Sequence, residues 1–516
     1  MTYREARVYL DDMSKYGSVL GLDTVRALLG ELGNPQDGLK FIHVAGTNGK
    51  GSILAYVSTI LREAGFLVGR YVSPTVVSYL EKIQVDGRWI GEDEFAALVE
   101  KVQKAVACME TNGRGHPTVF EMETAMAFLY FREKKCDYVV LETGLGGRLD
   151  ATNVVENTVL AIFSSIGRDH MGILGDTLTE IAGEKAGIMK PGCRVVSAAQ
   201  KPEVRKALEE RAAQLGCPIT FARPENARVV EEDYKGMRFS YTLTDSQSPL
   251  ARSASNAGCP EGYTLTDSQS PPAPQGHAFS DLRIRLAGKC QIENAVTAIE
   301  AAWVLRDMGD VACFSVQGMS AGKDSGTRGI TEEAIRRGLE KTAWAGRFTC
   351  IGERPTFIVD GAHNVDAAVR LRRSMETYFP QKRLFYIIGV FKDKEYEKIV
   401  EIMAPLAARV YTVDLPNAGR TLSAKHLKET FDKELASCGV GTGTDARAFF
   451  DAEGGVGDDV FSGAGNGGVR VEAVEDIDRA VRLALAEAGV EDVILAFGSL
   501  SYLGRVMEIV KEKGWK

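Results

Sequence analysis

The feature that most constrains the fold is a short apolar run that leads directly into a glycine-rich loop and then into an amphipathic stretch. Residues 40–45 (KFIHVA) favour a strand, residues 46–52 (GTNGKGS) form the loop, and residues 53–65 carry apolar side chains at helical spacing. A glycine at position 65 suits the end of that helix, and FLVGRYVS after it predicts another strand. This order of strand, loop, helix and strand is typical of the start of a parallel α/β sheet.

The loop predicts a phosphate site. Glycines let backbone N–H groups approach phosphate oxygens closely, and the N-terminus of the following helix favours an anion. Lys50 would supply a positive charge to the β- and γ-phosphates, and the hydroxyl of Ser52 can bind Mg²⁺. The motif departs from the usual P-loop pattern because Gly51 separates the lysine from the serine. A plain glycine-rich turn is the alternative.

Further apolar runs predict strands in both halves of the chain. In the first half these are DYVVLE (137–142), TVLAIF (158–163) and CRVVSA (193–198), with helices predicted over 119–134 and 176–188. In the second half they are TFIVD (356–360), LFYIIGV (384–390), ARVYTVD (408–414) and DVILAF (492–497), and helical patterns such as VDAAVRLRRSMETY and SYLGRVMEIVKEK follow some of them. The sequence therefore predicts a second α/β domain that starts near Gly346.

Three stretches do not fit this pattern and predict loop insertions, at about 241–278, 309–330 and 439–469. The first contains an exact duplication, since YTLTDSQSP occurs at 241–249 and again at 263–271. Two polar copies are too few for a solenoid, which needs about three or more repeats of one structural unit. We expect a duplicated surface insertion that is mostly flexible.

Composition excludes several classes of function. The 62 Lys and Arg against 70 Asp and Glu give a net charge of −8, which makes the chain a poor non-specific binder of nucleic acid or membrane. The N-terminus has no apolar signal-peptide region, and no run of about 18 apolar residues predicts a membrane span. The nine cysteines are scattered without a CxxC pair, which favours reduced thiols in the cytoplasm over disulfides or a zinc site.

Several polar residues lie where chemistry is expected. Glu142 ends the strand DYVVLE, where a second Mg²⁺ ligand is expected in this architecture, although many strands end in a glutamate that only caps a loop. A lone histidine such as His170, in SSIGRDHMG, is more often structural than a ligand, and a lysine such as Lys185, in GEKAGIMKPG, is ordinarily an exposed helix lysine. Asp360 and His363 lie in VDGAHN at the end of another apolar strand. Taken singly, none of these residues identifies a site.

Together, however, these residues and their surroundings resemble the folylpolyglutamate synthase/dihydrofolate synthase family of the Mur ligase superfamily. The most specific matching segments are LETGLGGRLDATN (141–153) and VDGAHN (359–364). The others are LGNPQDGLKFIHVAGTNGKGS (32–52), YVSPTVVSYLEKIQVDG (71–87), TVFEMETAMAF (118–128), GRDHMGILGDTLTEIAGEKAGIMKPG (167–192), QIENAVTAIEA (291–301), AGRF (345–348), IIGVFKDKE (387–395) and FGSLSYLGRV (497–506). The three insertions have no counterpart in the family pattern, and SPTVV stands where the family often has His after SP.

The resemblance implies ATP-dependent amide ligation. ATP would phosphorylate a carboxylate of a pterin substrate, and the amine of L-glutamate would then displace phosphate from the acyl phosphate. The implied ATP-binding residues are Gly46, Thr47, Asn48, Gly49, Lys50, Gly51, Ser52, Asn294, Arg347, Asp360 and His363. The implied metal ligands, for two Mg²⁺ sites, are Ser52, Ser73, Glu142 and His170. Lys50, Lys185 and His170 would be catalytic, with Lys185 carbamylated. Phe120, Glu121, Arg148 and Asp150 would line the pterin side.

The resulting prediction is a monomeric, cytoplasmic α/β enzyme of two domains. Residues 1–345 would form a P-loop ATPase domain with a parallel sheet, and residues 346–516 a smaller Rossmann-like domain, with the active site between them. Its partners would be ATP, L-glutamate and a folate or dihydropteroate, with no nucleic acid and no membrane. Three alternatives stay open: an enzyme that only extends glutamate chains, another Mur-type amide ligase, and a P-loop nucleotide switch. A further alternative concerns the pterin side, where Arg148 and Asp150 could simply pair with each other.

Overall fold

The structure is a computed structural model that describes residues 1–17, 19–243, 277–308, 328–417, 419–437, 469–512 and 514. Its strands are β1 (Phe41–Ala45), β2 (Val68–Tyr71), β3 (Ile83–Val85), β4 (Arg88–Trp89), β5 (Tyr138–Glu142), β6 (Thr158–Phe163), β7 (Arg194–Ser197), β8 (Ile219–Phe221), β9 (Ala227–Asp233), β10 (Gly236–Thr242), β11 (Ala278–Ile284), β12 (Thr349–Glu353), β13 (Thr356–Val359), β14 (Leu384–Ile388), β15 (Ala407–Val413), β16 (Arg470–Glu475) and β17 (Val493–Phe497).

The α-helices alternate with these strands through most of the chain. They are Tyr3–Met13, Asp23–Glu31, Lys50–Glu63, Glu92–Thr111, Val119–Glu133, Leu178–Ala186, Pro202–Gln214, Cys290–Asp307, Glu332–Lys341, Val365–Tyr378, Tyr396–Met403, Ala424–Ser437, Ile477–Glu487 and Leu503–Glu512. Short 3₁₀ turns lie at Ser14–Tyr16, Pro35–Gly38, Tyr79–Lys82, Ala151–Val154, Pro224–Asn226, Ala404–Leu406 and Leu500–Tyr502.

An eight-stranded sheet forms the first half, in the order β4-β3-β2-β5-β1-β6-β7-β8. The six strands from β2 to β8 run parallel, and β3 and β4 add an antiparallel edge. The central strand β1 is buried along its whole length, as its apolar sequence predicts. Helix Lys50–Glu63 begins inside the glycine-rich segment 46–52, three residues earlier than the sequence predicts. It is buried from Gly51 to Leu61, because the sheet covers one face and helices Cys290–Asp307 and Glu332–Lys341 cover the other.

A six-stranded sheet forms the second half, in the order β12-β13-β17-β14-β15-β16, with only β12 antiparallel to its neighbour. Strands β13, β14, β15 and β17 match the four apolar runs of the second half, and helix Val365–Tyr378 has the predicted bounds. The predicted α/β class with parallel sheets is confirmed.

A small antiparallel sheet, in the order β11-β10-β9, joins the two halves and has no counterpart in the sequence prediction. Its strands β10 and β11 contain residues 241–242 and 278, so the described edges of the first predicted insertion are paired strands. Residues 244–276 of that insertion, most of 309–330 and nearly all of 439–469 lie outside the described residues. The flexibility expected there therefore stays a prediction.

Two further predictions concern thiols and membrane spans. All six cysteines in the described part of the chain are free. Among the helices of that part, none has both the length and the apolar character needed to cross a membrane.

Candidate active site

A cavity of about 380 Å³ lies between the eight-stranded and six-stranded sheets, at the carboxyl ends of β1, β5, β13 and β17. Open α/β sheets bind ligands at this edge, because loops of different strands meet there. Most of the predicted site residues line this cavity: the whole loop Gly46–Ser52 together with Ser73, Glu142, His170, Lys185, Asn294, Arg347, Asp360 and His363. The fold thus brings together residues that are more than 300 positions apart in the sequence.

The glycine-rich loop has a backbone that side chains could not adopt. Gly46 has a φ of 148°, and a Cβ there would lie 1.9 Å from Oγ of Ser164. Gly49 has a φ of 94°, and its Cβ would lie 2.5 Å from Oδ1 of Asn294. The loop therefore needs glycine at both positions, and the bend places the N-terminus of helix Lys50–Glu63 at the cavity, where an anion is favoured.

Two lysines converge on one carbonyl oxygen of this loop. Nζ of Lys50 donates to the carbonyl of Gly46 at 3.3 Å, and Nζ of Lys185 donates to the same oxygen at 2.9 Å. Lys185 is 5% exposed, so it is not the exposed helix lysine that the sequence alone allowed. Burial, and then the charge of Lys50, lowers the pKa of Lys185 to about 7.

Glu142 is a buried carboxylate at the end of β5, paired in register with Val44 of β1. Burial raises its pKa, while the charges of Lys50 and Arg347 act in the opposite direction. No ion pair to Glu142 occurs in the described residues. The hydroxyl of Ser52 is also buried and accepts a hydrogen bond from Nε2 of Gln291 at 3.4 Å. These oxygens lie at the phosphate end of the cavity and suit a hard cation.

The loop after β6 carries His170 and a neighbour that the sequence prediction passed over. His170 has a φ of 51°, and burial lowers its pKa. The preceding residue, Asp169, accepts an ion-pair hydrogen bond from Nζ of Lys394 at 2.8 Å, across the cleft. Burial raises the pKa of Asp169, but the charge of Lys394 and the hydrogen bond it donates outweigh burial and hold this pKa well below its usual range.

The six-stranded sheet supplies the opposite wall. The carboxylate of Asp360 accepts hydrogen bonds from the backbone of Phe348 at 2.7 Å and of Ala362 at 2.8 Å, and burial raises its pKa. His363 bonds through Nδ1 to the carbonyl of Gly361 at 2.8 Å, and burial lowers its pKa to about 4. His363 is therefore neutral near pH 7.

The four residues predicted for the pterin side do not line this cavity. Glu121 is a buried helix cap, because its carboxylate accepts from both the backbone and the hydroxyl of Thr118. Arg148 pairs with Glu184 through Nε at 3.0 Å and a terminal nitrogen at 2.8 Å, and not with Asp150. Glu121 and Arg148 thus each make contacts that hold local structure.

Asp150 lies on the loop that follows β5, and Phe120 lies in the first turn of helix Val119–Glu133. Asp150 is 3% exposed, and its carboxylate accepts from the backbone of Leu145 at 2.7 Å and of Thr152 at 3.0 Å. The ring of Phe120 packs on Gly144, where a Cβ would lie 2.7 Å from the ring. The substrate roles of all four residues stay predictions.

Sequence reasoning missed several residues that line the cavity or hold its walls together, namely Asp169, Gln291, Asn364, Lys394 and Arg420. Asp169 is adjacent to His170, and Lys394 lies in the matching segment IIGVFKDKE. Both therefore lay inside segments that the resemblance had already picked out, but no local pattern indicated that they face each other.

The comparisons with known proteins agree with this geometry. Residues 44–302 match the model of the Mur ligase middle domain, and residues 346–500 match that of the Mur ligase glutamate ligase domain. A dihydrofolate synthase/folylpolyglutamate synthase of Bacillus subtilis is 34% identical over 81% of this chain and 86% of its own length. A folylpolyglutamate synthase of Lacticaseibacillus casei is 29% identical over 85% of this chain and 93% of its own length.

Solved structures give the same result. The folylpolyglutamate synthase of Thermotoga maritima is 28% identical, with a TM-score of 0.71, and the match covers 100% of this chain and 98% of that one. The E. coli FolC structure in complex with DHPP and ADP is 25% identical, with a TM-score of 0.73, and the match covers 100% of this chain and 99% of that one. The predicted family is confirmed: this chain belongs to the dihydrofolate synthase/folylpolyglutamate synthase family of Mur-type ligases.

Proposed function

We propose that this protein is an ATP-dependent ligase that joins L-glutamate to folates and to dihydropteroate. The observation that carries the proposal is the cleft itself, in which a phosphate loop and a buried carboxylate face a second wall that bears Arg347 and Arg420. Such a site can hold a triphosphate and an acidic substrate together. A nucleotide switch would not need the second wall, and family membership sets that alternative aside.

The reaction needs a carboxylate with a good leaving group. The substrate carboxylate oxygen attacks the γ-phosphorus of ATP, ADP leaves, and an acyl phosphate forms. The glutamate nitrogen then attacks the acyl carbon, phosphate leaves with the C–O electron pair, and the amine loses its proton. Loop Gly46–Ser52 holds the phosphates through backbone N–H groups. Lys50 offsets the negative charge that develops on the leaving group during transfer.

A magnesium ion fits the residues at the phosphate end. Glu142 is a buried carboxylate without an ion-pair partner in the described part of the chain, and the buried hydroxyl of Ser52 lines the same cavity. Mg²⁺ is usually held by one or two carboxylates, with phosphates and waters for the rest, which agrees with the lack of any cluster of three or more His, Cys, Asp or Glu among the described residues. When bound, the ion would neutralise phosphate charge. Ser73 and His170 would serve a second ion.

Lys185 is proposed as a carbamate. Only a neutral amine adds CO₂, and a lysine with a pKa of about 7 is about half neutral at pH 7. The product would be an anion close to Lys50, in a cavity that His170 also lines and where basic side chains outnumber acidic ones. A plain lysine that only holds the carbonyl of Gly46 is the alternative.

Bifunctionality is supported by the loop from Gly144 to Asn153, GLGGRLDATN, which lies beside Phe120. Both reactions join an acyl phosphate to the same amine, but the activated carboxylate lies one glutamate further from the pterin in a folate. The enzyme must therefore seat the pterin in two positions. We propose that Asp150 serves the dihydropteroate position, so that Asp150→Ala loses that reaction more than the folate reaction.

The remaining proposals concern organisation. We propose a division into domains at about residues 345 and 346, because the six-stranded sheet draws all of its described strands from 349–497. We also propose that the protein is a monomer, and that it works in the cytoplasm, where the six described free thiols stay reduced.

One experiment tests the function directly. The protein is incubated with ATP, Mg²⁺ and L-glutamate, together with either dihydropteroate or tetrahydrofolate, and the products are weighed by mass spectrometry. We expect a mass increase of one glutamate residue with each acceptor, and ADP release that depends on glutamate. Product from tetrahydrofolate alone would leave a chain-extending enzyme, and no product from either would refute the proposal.

A further inference from the structure

An ion pair closes the cleft from one wall to the other. Asp169, on the loop after β6, receives a hydrogen bond from Nζ of Lys394 at 2.8 Å, and the two side chains are 13% and 9% exposed. The other oxygen of Asp169 accepts from Nδ2 of Asn364 at 3.4 Å. Lys394 and Asn364 both follow strands of the six-stranded sheet, whereas Asp169 follows strand β6 of the eight-stranded sheet.

A second contact ties the phosphate loop to the same place. The side chains of Asn48 and Asn364 exchange two hydrogen bonds. Nδ2 of Asn48 donates to Oδ1 of Asn364 at 3.3 Å, and Nδ2 of Asn364 donates to Oδ1 of Asn48 at 3.1 Å. Oδ1 of Asn364 also caps helix Val365–Tyr378 by accepting from the backbone of Ala367 at 2.9 Å. One asparagine thus connects the phosphate loop, the loop of Asp169 and a helix of the opposite wall.

The ion pair of Asp169 and Lys394 is much more buried than the pair that Lys235 forms with Glu353. Lys235 and Glu353 also form an ion pair between the small antiparallel sheet and the six-stranded sheet, at 2.6 Å, but their side chains are 50% and 57% exposed. Exposed ion pairs of that kind contribute little to the free energy of unfolding. Breaking a largely buried ion pair leaves one charge without a partner, which lowers the free energy of unfolding far more than the loss of an exposed pair does.

We propose that Asp169, with Lys394, Asn364 and Asn48, forms a clasp that holds the cleft closed over the acyl phosphate, and that Asp169 is a positioning residue for the ligation. The inference rests on the proposed function. An acyl phosphate reacts with water as well as with an amine, so a ligase must exclude water until glutamate attacks. The clasp fixes the phosphate loop against the wall that carries Lys394 and Arg420, and so sets the distance between acyl carbon and amine.

The test uses four variants of the full-length protein. Asp169→Asn and Lys394→Met each break the ion pair, Asp169→Lys with Lys394→Asp restores it with reversed charges, and Lys235→Met breaks the exposed pair as a control. For each, we measure the ADP released per amide formed, the KM for glutamate, the Kd for a non-hydrolysable ATP analogue, and the radius of gyration by X-ray scattering with Mg²⁺ and that analogue.

The clasp predicts a specific pattern. In both single variants kcat/KM for glutamate falls by about 10²-fold, since a displacement of about 1 Å can cost that much. ADP released per amide rises severalfold, because the acyl phosphate hydrolyses in the open cleft. The radius of gyration increases, and the ATP-analogue Kd stays close to that of the wild type. The reversed pair regains part of the coupling, and the control behaves as the wild type.

Other patterns overturn the proposal. Unchanged coupling and an unchanged radius of gyration in both single variants would show that the cleft does not depend on the pair. Weaker ATP-analogue binding and a lower melting temperature in the single variants, with neither restored in the reversed pair, would show that Asp169 only holds its own loop. The scattering measurement needs no turnover, so it judges the clasp even if the wild type proves to lack ligase activity.

Discussion

Replacing Lys185 by methionine should abolish ligation and yet make the folded protein more stable. Lys185 is 5% exposed, and its Nζ has a single hydrogen-bond partner among the described residues, the carbonyl of Gly46. Burial disfavours the ammonium form, so the pKa falls from 10.5 to about 7. Methionine has a similar length and carries no charge.

The magnitude follows from linkage between protonation and folding. The unfolded chain keeps the lysine proton up to about pH 10.5, whereas the folded protein keeps it only up to about pH 7. The free energy of unfolding therefore increases with pH between these values, by about 5 kcal/mol in total. At pH 7.5 most of this penalty is still present in the wild type. Methionine removes it and loses one hydrogen bond, worth about 1 kcal/mol, so we expect a net gain of a few kcal/mol.

Calorimetry at pH 7.5 in CO₂-free buffer measures the effect, with ligation assayed in parallel. The variant should melt several degrees above the wild type and form no product. Adding bicarbonate should raise the melting temperature of the wild type alone, since a carbamate forms only on the lysine and only in the folded state. A variant that melts at or below the wild-type temperature without CO₂ would refute the argument from burial. Full activity in Lys185→Ala, without added short-chain carboxylates, would reject the carbamate.

Four other changes test separate parts of the structure. Lys50→Ala should abolish ligation without lowering the melting temperature, because its Nζ meets only loop carbonyls at 3.3 and 3.4 Å and its charge disfavours the buried Lys185; normal activity with normal ATP affinity would contradict the phosphate-loop role. Glu142→Gln should raise the Mg²⁺ concentration needed for half-maximal rate, and an unchanged Mg²⁺ titration would show that Glu142 is no ligand. Burial raises the pKa of Glu300 to about 7, so stability should fall by about 3 kcal/mol between pH 4.5 and 7; calorimetry of Glu300→Gln should show this slope removed. Deleting 242–263 rejoins the identical YTLTDSQSP sequence and should leave activity and melting temperature nearly unchanged, whereas a large loss of either would make the insertion structural.

Strands buried on both faces could be predicted closely from the sequence, because a continuous apolar run has no other stable location. TVLAIF matches β6 residue for residue, and LFYIIGV contains β14. The antiparallel strands β9 to β11 could not be predicted in the same way. β9 is exposed from Arg228 onward, and β10 alternates between buried and half-buried residues, so neither carries a continuous apolar signal. A duplicated polar segment also separates β10 from its partner β11.

The site shows the same division between local and distant information. The phosphate loop could be recognised because its glycines, lysine and following helix are contiguous in sequence. Lys185 had no such signal, since a lysine in a helix is ordinarily exposed and only the packing of the chain buries it. The ion pair of Asp169 and Lys394 joins residues 225 positions apart, and no local sequence pattern predicts which acidic residue pairs with which basic one.

The two lysines at the carbonyl of Gly46 explain why the buried one is the amine that we propose as the carbamate. Nζ of Lys50 lies at the phosphate loop, half-buried, and also donates to the carbonyl of Thr47 at 3.4 Å. Lys185 approaches the same oxygen from the interior, where the charge of Lys50 adds to the cost of burial. Because a second ammonium group lies at this oxygen and little solvent reaches Lys185, its proton is held more weakly than that of an exposed lysine. The loop thereby places a cation suited to the triphosphate next to the amine that we propose takes up CO₂.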